Sequence, residues 1–451
     1  MSAAKGPDRR VAVVGGGWAG CAAAVVLLDA GCDVTLFEAA RTLGGRARAI
    51  ETNGRTLDNG QHIMLGAYAD TLRLMRRVGV DPARALLRLP LQMRYPASAP
   101  DEGMDFVAPR LPAPLHVLVA LLRARGLDAA DKMALARFST TARWMGWQLH
   151  NDCSVAELLA RFDQTERLVR LMWRPLCLAA LNTAPEHASA QVFLAVLRDS
   201  LGAHRAASDM LIPRVLLDAV FPEAARRHLE GRRAAVRTGC RIDGVQPDGA
   251  GWQLRAGPDV HGFDALVLAA PPWQAASLLR PLDGAAAAVA QLDAFAYEPI
   301  ATVYLQYGAD VRLPLPFCAL ADAPADGRWG QFVFDRGQLD AGQAGLLAVV
   351  ISGADAAAAM GQEALAQAVA AQLAAAFGLA ALGQPQWTRT ITEKRATFAC
   401  TPGMSRPAND VGLPGLALAG DYTAGDYPAT LESAVRSGVA AARLLAGAAR
   451  R

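Results

Sequence analysis

The chain has 451 residues, which allows two or three domains with a large hydrophobic core and excludes a peptide or a small disulfide scaffold. Hydrophobic residues make up 53% and charged residues 19%, so the composition excludes a disordered chain. The 45 basic residues nearly balance the 42 acidic ones, and the net charge of +3 predicts no nucleic-acid partner.

The first predicted elements form a β-α-β unit over residues 10–45. The strand RVAVV is followed by a glycine-rich turn, an alanine-rich helix and a second strand, DVTLFE. Parallel strands need a crossover of this length. The chain is therefore expected to start with a parallel sheet.

Later segments change in character and then return to this pattern. Residues 76–211 have mainly helical periodicity, and Ser154 with Glu157 predicts a helix N-terminus. Residues 233–270 indicate short strands, and the chain ends with a strand, a loop and a helix.

This order predicts an α/β fold of two interleaved domains. Residues 1–75, 212–280 and 405–451 would form a Rossmann-like nucleotide-binding domain. Residues 76–211 and 281–404 would form an α+β substrate domain with a helical insert.

Gly15, Gly17 and Gly20 fit the pattern G-x-G-x-x-G between the first strand and the first helix, and Glu38 closes the next strand. The first glycine permits the turn, the second lets the backbone approach a pyrophosphate, and the third lets helix and strand pack. The helix N-terminus attracts negative charge, and Glu38 would accept hydrogen bonds from ribose hydroxyls. A tight turn in a Gly/Ala-rich segment is the alternative interpretation, but the whole unit favours dinucleotide binding.

Gly44, Gly45 and Arg46 follow the second strand of this unit and favour a flavin over a nicotinamide dinucleotide. Their backbone and guanidinium can approach the phosphates of the cofactor. In isolation, the same residues would be a glycine turn followed by a solvated arginine.

Gly420 and Asp421 end an apolar strand near the C-terminus, and a helix is expected to begin near Thr430 and Leu431. Asp421 could hold a ribityl hydroxyl, and the helix N-terminus could stabilise the negative charge of a reduced flavin. The alternative is an ordinary strand-to-helix connection with Asp421 solvated.

Together, these motifs and the strand within 264–272 resemble the superfamily of FAD-dependent amine oxidases and carotenoid desaturases. Residues 57–68, 181–191 and 208–213 resemble its squalene-associated branch, the hydroxysqualene dehydroxylases of hopanoid biosynthesis. The resemblance implies a flavoprotein of the glutathione-reductase or amine-oxidase type, with FAD extended in the first domain. It also implies that the backbone of Ile242 contacts the adenine.

The resemblance implies a substrate and a reaction as well. A long isoprenoid would enter from the membrane side, and the allylic alcohol hydroxysqualene would be reduced to squalene. No second dinucleotide pattern occurs in the sequence, so the external electron donor is left open.

Loss of an allylic hydroxyl as water requires a proton donor. Asp58 and His62 follow the Gly-Gly-Arg turn, where the chain is expected to pass the flavin ring, and both are candidate catalytic residues. The alternative is that they contact the flavin or fix the loop.

Apolar residues of the helical insert are expected either to line a lipid cavity or to pack in the core; the candidates are Trp144, Trp147, Phe162, Met172, Trp173 and Phe193. Residues 114–125 are apolar with a basic end, which suits a helix on an anionic membrane surface or a buried helix.

The seven cysteines are scattered without a Cys-x-x-Cys pair, so they predict reduced thiols and no metal site. The polar N-terminus predicts no signal peptide, and no apolar stretch reaches the length of a membrane span. A cytoplasmic protein is expected, with peripheral contact to the cytoplasmic membrane as a further hypothesis.

Three other functions remain open from the residues. A phytoene-type desaturase would share the flavin site and reverse the electron flow. A flavin amine oxidase usually needs an aromatic cage, for which Tyr422 and Tyr427 are candidates. A non-catalytic isoprenoid-binding protein of the same fold would need no flavin.

Overall fold

The computed structural model describes residues 9–52, 54–96 and 103–448, so most of the N-terminal segment on which the signal-peptide expectation rests lies outside the described residues. Within those ranges, every helix is too short or too polar to cross a bilayer. Cys21, Cys153, Cys177, Cys318 and Cys400 are buried free thiols, and Cys240 is a partly buried free thiol.

The strands, numbered in chain order, are β1 (Arg10–Val14), β2 (Asp33–Glu38), β3 (Ala49–Thr52), β4 (Arg55–Asp58), β5 (Met64–Leu65), β6 (Leu86–Leu89), β7 (Gln92–Arg94), β8 (Asp105–Val107), β9 (Met210–Pro213), β10 (Ala235–Thr238), β11 (Gly244–Asp248), β12 (Gly251–Ala256), β13 (Asp259–Phe263), β14 (Ala265–Leu268), β15 (Tyr297–Gln306), β16 (Phe317–Ala319), β17 (Phe332–Asp335), β18 (Leu346–Ser352), β19 (Trp387–Phe398) and β20 (Leu416–Leu418).

The α-helices are α1 (Trp18–Asp29), α2 (Ala69–Arg77), α3 (Pro82–Ala85), α4 (Leu115–Arg123), α5 (Ala129–Trp144), α6 (Val155–Arg161), α7 (Glu166–Leu168), α8 (Arg174–Leu181), α9 (Ala190–Leu197), α10 (Leu217–Val220), α11 (Pro222–Gly231), α12 (Pro272–Leu279), α13 (Ala286–Asp293), α14 (Asp355–Ala359), α15 (Gln362–Phe377) and α16 (Leu431–Ala448).

A five-stranded parallel sheet has the order β10-β2-β1-β14-β20. Val13 in β1 pairs with Leu36 on one side and Val267 on the other. The strand order therefore reverses between β1 and β14, and ligands of such sheets bind beyond the carboxyl ends of the strands at this switch point. The five strands fall within 1–75, 212–280 and 405–451, and the domain boundaries at these positions stay a prediction.

The two faces of the parallel sheet are buried by different layers, because alternate residues of β1 point to opposite faces. Val11 and Val13 pack with α1, α11 and α16. Helices α1 and α16 cross closely at Gly438, where a Cβ would lie 2.1 Å from the carbonyl oxygen of Ala19. Ala12 and Val14 belong to the opposite core, which the antiparallel sheet β11-β12-β13 covers.

A second five-stranded sheet, β16-β17-β18-β15-β19, is antiparallel throughout. One face packs against α14 and α15. The other face carries Phe317 and Phe332 and packs against β9, which joins β5 and β6 in a small antiparallel sheet. This second face forms part of the site described below.

Residues 76–211 are less helical than their periodicity predicts, because β6, β7, β8 and the start of β9 lie within them. Each of these strands has three or four residues, which is too short for a recognisable alternation of polar and apolar positions. The predicted helix start is confirmed, since the Ser154 hydroxyl accepts a hydrogen bond from the Glu157 N–H at 3.1 Å.

Candidate active site

The first glycine turn follows β1 at the switch point of the parallel sheet. Gly15 has φ +109°, and a Cβ there would lie 2.4 Å from the Ala269 carbonyl oxygen. A Cβ on Gly20 would lie 1.8 Å from the Gly15 carbonyl oxygen. Both positions therefore require glycine for the fold itself.

Gly17 is different, because the protein alone does not require glycine there. Its φ and ψ of −72° and −178° are extended values open to any residue, and a Cβ would have only the Gly45 Cα within reach, at 4.0 Å. Gly17 is also the N-cap of α1, and no side chain caps this helix. The space beside Gly17 and the uncapped N–H groups of α1 form a cradle for an anion.

Glu38 organises the edge of this cradle. Its carboxylate accepts hydrogen bonds from the N–H of Gly16 at 2.6 Å and of Ala40 at 2.8 Å. The backbone after β10 joins the same edge, since the Cys240 N–H donates to the Glu38 carbonyl at 2.9 Å. Ile242 follows two residues later and is buried at 3% exposure. An adenine contact by Ile242 stays a prediction.

The second glycine turn lies against the first. Gly44 donates its N–H to the Gly16 carbonyl at 2.9 Å, and Gly45 approaches Gly17 so closely that a Cβ on Gly45 would lie 3.2 Å from the Gly17 Cα. Positive φ values of 111° and 60° at Gly44 and Gly45 also favour glycine. The two predicted turns thus form one site.

Arg46 joins this turn to the C-terminal motif. One guanidinium nitrogen lies 2.7 Å from each oxygen of Asp421, and the other donates to the Ala396 carbonyl at 2.6 Å. The Asp421 side chain is buried, so the carboxylate depends on this pair. Two motifs separated by most of the chain are therefore in direct contact.

The C-terminal loop ends at α16, as the sequence predicts. Thr430 caps this helix, since its hydroxyl accepts from the Ser433 N–H at 3.1 Å, and Leu431 is the first helical residue. Gly420 donates its N–H to the Ser437 hydroxyl at 3.0 Å, and a Cβ there would overlap the Tyr422 ring. The loop is thus fixed at both ends.

Asp58 and His62 are both anchored to the backbone. The Asp58 carboxylate accepts from the Leu217 N–H at 2.8 Å, at the start of α10. His62 Nδ1 lies 3.2 Å from the Gly60 carbonyl and must donate to it, which leaves Nε2 as an acceptor. Burial lowers the pKa of His62 and favours the neutral ring. Catalytic roles for both residues stay predictions.

The acidity of Asp58 gives a testable pH dependence. Burial raises its pKa to about 6, although the Leu217 N–H and Arg336 act in the opposite direction. An unfolded Asp has a pKa of about 3.9, so the folded state binds the proton more tightly and the free energy of unfolding falls as pH rises from about 4 to 6. Asp58→Asn keeps an acceptor for the Leu217 N–H. We expect its free energy of unfolding to exceed that of the wild type by about 3 kcal/mol at neutral pH and to equal it near pH ~4.

Urea unfolding of both proteins across this pH range measures the effect. The exposed Asp283→Asn supplies the control for removing a carboxylate. A stability difference between Asp58→Asn and the wild type that is independent of pH would contradict the raised pKa.

A cavity lies between the second sheet, the helical insert and the C-terminal loop, with about 1170 Å³ of empty space including its mouth. Its wall is mainly apolar: Ile63, Leu65, Ala67, Leu91, Met93, Phe106, Met172, Leu176, Ala179, Ala180, Val196, Leu197, Leu201, Met210, Phe317 and Phe332. Its polar wall residues are Tyr68, Gln92, Ser200, Ser208, Tyr427 and Thr430. Thr430 and Tyr427 connect the cavity to the C-terminal loop.

Most residues that the sequence suggested for such a cavity lie elsewhere. Met172 lines it, but Trp144 is 85% exposed at the end of α5. The other four candidates, Trp147, Phe162, Trp173 and Phe193, pack in or against the hydrophobic core, which was the alternative expectation for them. For example, the rings of Trp173 and Phe193 lie 6.1 Å apart. Two π-helical turns, Val169–Trp173 and Arg198–Gly202, carry wall residues and were not predicted.

The polar wall residues Tyr68 and Gln92 were not predicted either. Tyr68 lies in the segment 57–68 that carries the squalene-associated resemblance, which is the one signal that pointed to it. Gln92 lies between two prolines in a segment without periodicity, so only the folded chain places it in the wall.

The two facing glycine turns, the uncapped helix N-terminus and Arg46 suit a cofactor with a pyrophosphate. The acidic Glu38 lies where a ribose would be held, and the C-terminal loop leads from this cradle to an apolar cavity. The parallel sheet, the cradle and the cavity together define a dinucleotide-binding protein with an apolar ligand cavity.

Residues 18–446 match the flavin-containing amine oxidoreductases. The chain is 31% identical to a hydroxysqualene dehydroxylase of Rhodopseudomonas palustris over 98% of this chain and all of that protein. It is 30% identical to a hydroxysqualene dehydroxylase of Sinorhizobium fredii over 97% of this chain and 98% of the relative. Among solved structures, cyclohexylamine oxidase of Brevibacterium oxydans superposes with a TM-score of 0.69 at 20% identity and covers 99% of this chain and all of its own.

The chain belongs to the flavin-containing amine oxidoreductase family and, within it, to the hydroxysqualene dehydroxylases. The structural likeness confirms the predicted α/β fold. The family match and the two relatives confirm FAD as the cofactor and the assignment as an FAD-dependent oxidoreductase.

Proposed function

We propose that this protein reduces hydroxysqualene to squalene. The allylic C–O bond breaks, a C–H bond forms at the same carbon, and the oxygen leaves as water after it accepts a proton. Reduced FAD supplies the hydride when bound. The apolar cavity beside the C-terminal loop carries this proposal, since it offers a long hydrocarbon a site next to the residues that would hold the flavin.

The roles of the chain's own residues follow from their places. Gly17, the α1 N-terminus and Arg46 would bind the pyrophosphate, and Glu38 the ribose. The apolar wall excludes water, which protects a reactive allylic centre from side reactions. His62 precedes the wall residue Ile63, and neither His62 nor Asp58 lines the cavity, so the proton donor stays open between them and other groups.

An anaerobic experiment tests the proposed function. The protein is purified, its flavin is reduced, and hydroxysqualene is added while flavin absorbance and squalene formation are followed. Reoxidation of one flavin for each squalene formed is the expected result. If the flavin stays reduced with hydroxysqualene but its oxidised form is bleached by phytoene or by an amine, the protein is a desaturase or an oxidase. A colourless protein that binds squalene would indicate a non-catalytic carrier.

We further propose that helix α4 rests on an anionic membrane surface. Leu115, Leu118 and Leu122 are 48%, 47% and 64% exposed and share one face of the helix at i, i+3 and i+7. Arg123 and Arg125 are exposed at its C-terminal end, which complements acidic headgroups. An insoluble substrate also requires transfer from a membrane.

Charged substitutions on this face test the membrane proposal. We expect Leu118→Glu with Leu122→Glu to reduce cosedimentation with vesicles containing phosphatidylglycerol at least about tenfold, because apolar burial is lost and like charges repel. Leu379→Glu is the matched control, since Leu379 is 47% exposed but lies outside α4. Equal loss in the control, or no loss in the double variant, would contradict the role of α4.

A further inference from the structure

Five of the six polar residues in the cavity wall have partners. The hydroxyls of Ser200 and Ser208 donate to the carbonyls of Val196 and Arg205, and the Tyr427 hydroxyl donates to Asp199. The Thr430 hydroxyl accepts from the Ser433 N–H, and Tyr68 is hydrogen-bonded with Thr430. The polar groups of these five residues are therefore already hydrogen-bonded within the protein. The sixth residue is Gln92.

Gln92 is 7% exposed, and its carboxamide has no hydrogen-bonding partner among the residues that the structure describes. Burial of an unpaired amide is costly, so such groups in folded proteins usually meet water or a ligand. His116 Nδ1 also lacks a hydrogen-bond partner, but that atom is completely buried, whereas the Gln92 carboxamide is not. The neighbours Leu91 and Met93 line the same wall.

We propose that the Gln92 carboxamide binds the hydroxyl group of the substrate and makes the cavity prefer an alcohol over the hydrocarbon of the same skeleton. This inference rests on the proposed function and assigns Gln92 as a specificity-determining binding residue. Its N–H can donate to the alcohol oxygen, and its carbonyl can accept from the O–H.

A neutral amide suits this task better than a charged group. It adds no charge to an apolar cavity, so the hydrocarbon part of the ligand stays in a favourable environment. A site built to hydrogen-bond a hydroxyl also rejects the analogue that lacks one, because the analogue leaves the buried amide unpaired. The product squalene has no hydroxyl, so the same contact favours its release.

Binding to the oxidised FAD-loaded protein tests the inference without turnover. The dissociation constants of hydroxysqualene and squalene are compared by partition from detergent micelles. We expect the wild type to prefer hydroxysqualene about tenfold or more, and Gln92→Met to bind the two nearly equally. The variant should bind hydroxysqualene more weakly than the wild type does, and it should bind squalene as tightly as the wild type or more tightly. Gln246→Met on an exposed strand is the matched control and should keep the wild-type preference.

Gln92→Asn provides a second test if the methionine variant does not fold, and it should give an intermediate preference because its amide is withdrawn by one methylene. A wild type without preference, or a Gln92 variant that keeps the full preference, would overturn the inference. Failure of the proposed function would appear separately, as reduced wild-type flavin that hydroxysqualene does not reoxidise.

Discussion

Gly17→Ala is expected to yield a folded protein that has lost most of its FAD. The added Cβ would contact the protein only at the Gly45 Cα, 4.0 Å away, and the backbone angles suit alanine, so the apoprotein should keep its stability. The same Cβ would occupy the cradle where we expect the pyrophosphate to bind. Overpacking of this kind costs up to about 3 kcal/mol, which corresponds to about a hundredfold weaker FAD binding.

Visible absorbance of the purified protein and titration of the apoprotein with FAD measure this loss. Gly231→Ala is the matched control, because a Cβ there also points into open space but lies far from the cradle in sequence at the end of α11. Gly20→Ala is the contrasting variant, since its Cβ would overlap the Gly15 carbonyl and should destabilise even the apoprotein. Normal FAD affinity in Gly17→Ala would show that the pyrophosphate lies elsewhere.

Arg46→Met is expected to destabilise the apoprotein by about 3 kcal/mol, because it leaves the buried Asp421 carboxylate without the guanidinium nitrogen that contacts both of its oxygens. The double variant Arg46→Met with Asp421→Asn should recover a coupling energy of about 1–3 kcal/mol, since the unpaired charge is then absent. Both proteins should lose FAD.

Urea unfolding of the wild type, both single variants and the double variant completes this thermodynamic cycle. The ion pair between Arg280 and Asp293 is the control, because both side chains are about half exposed and such pairs contribute at most about 1 kcal/mol. If Arg46→Met lowered the free energy of unfolding no more than Arg280→Met does, the ion pair between Arg46 and Asp421 would have no structural role.

Local patterns were sufficient to predict the elements that carry the proposed cofactor half of the site. Strands β1 and β2 have the predicted bounds, because their apolar runs end at polar residues or glycines. The start of α16 at Leu431 was also predicted, since an apolar strand, a loop and an amphipathic helix follow each other in sequence.

The substrate half depends on contacts between distant segments, which local patterns do not encode. Asp58 caps a helix that begins 159 residues later, so its acidity cannot be predicted from its neighbours. Gln92 becomes a wall residue only when the second sheet and the helical insert close around it. Trp144 is a large apolar residue of the kind that lines lipid cavities, but it is the last residue of α5 and is exposed to solvent.

The close crossing of α1 and α16 determines when the protein can acquire its cofactor during synthesis. Helix α1 is synthesised before Asp421 and α16, which follow it by several hundred residues. Until then, the apolar face of α1 is uncovered and Arg46 lacks its carboxylate. Contacts of such long sequence separation form slowly, and exposed apolar surface promotes aggregation of the nascent chain. We therefore expect stable FAD binding only after Asp421 and α16 have been synthesised and have packed against Arg46 and α1.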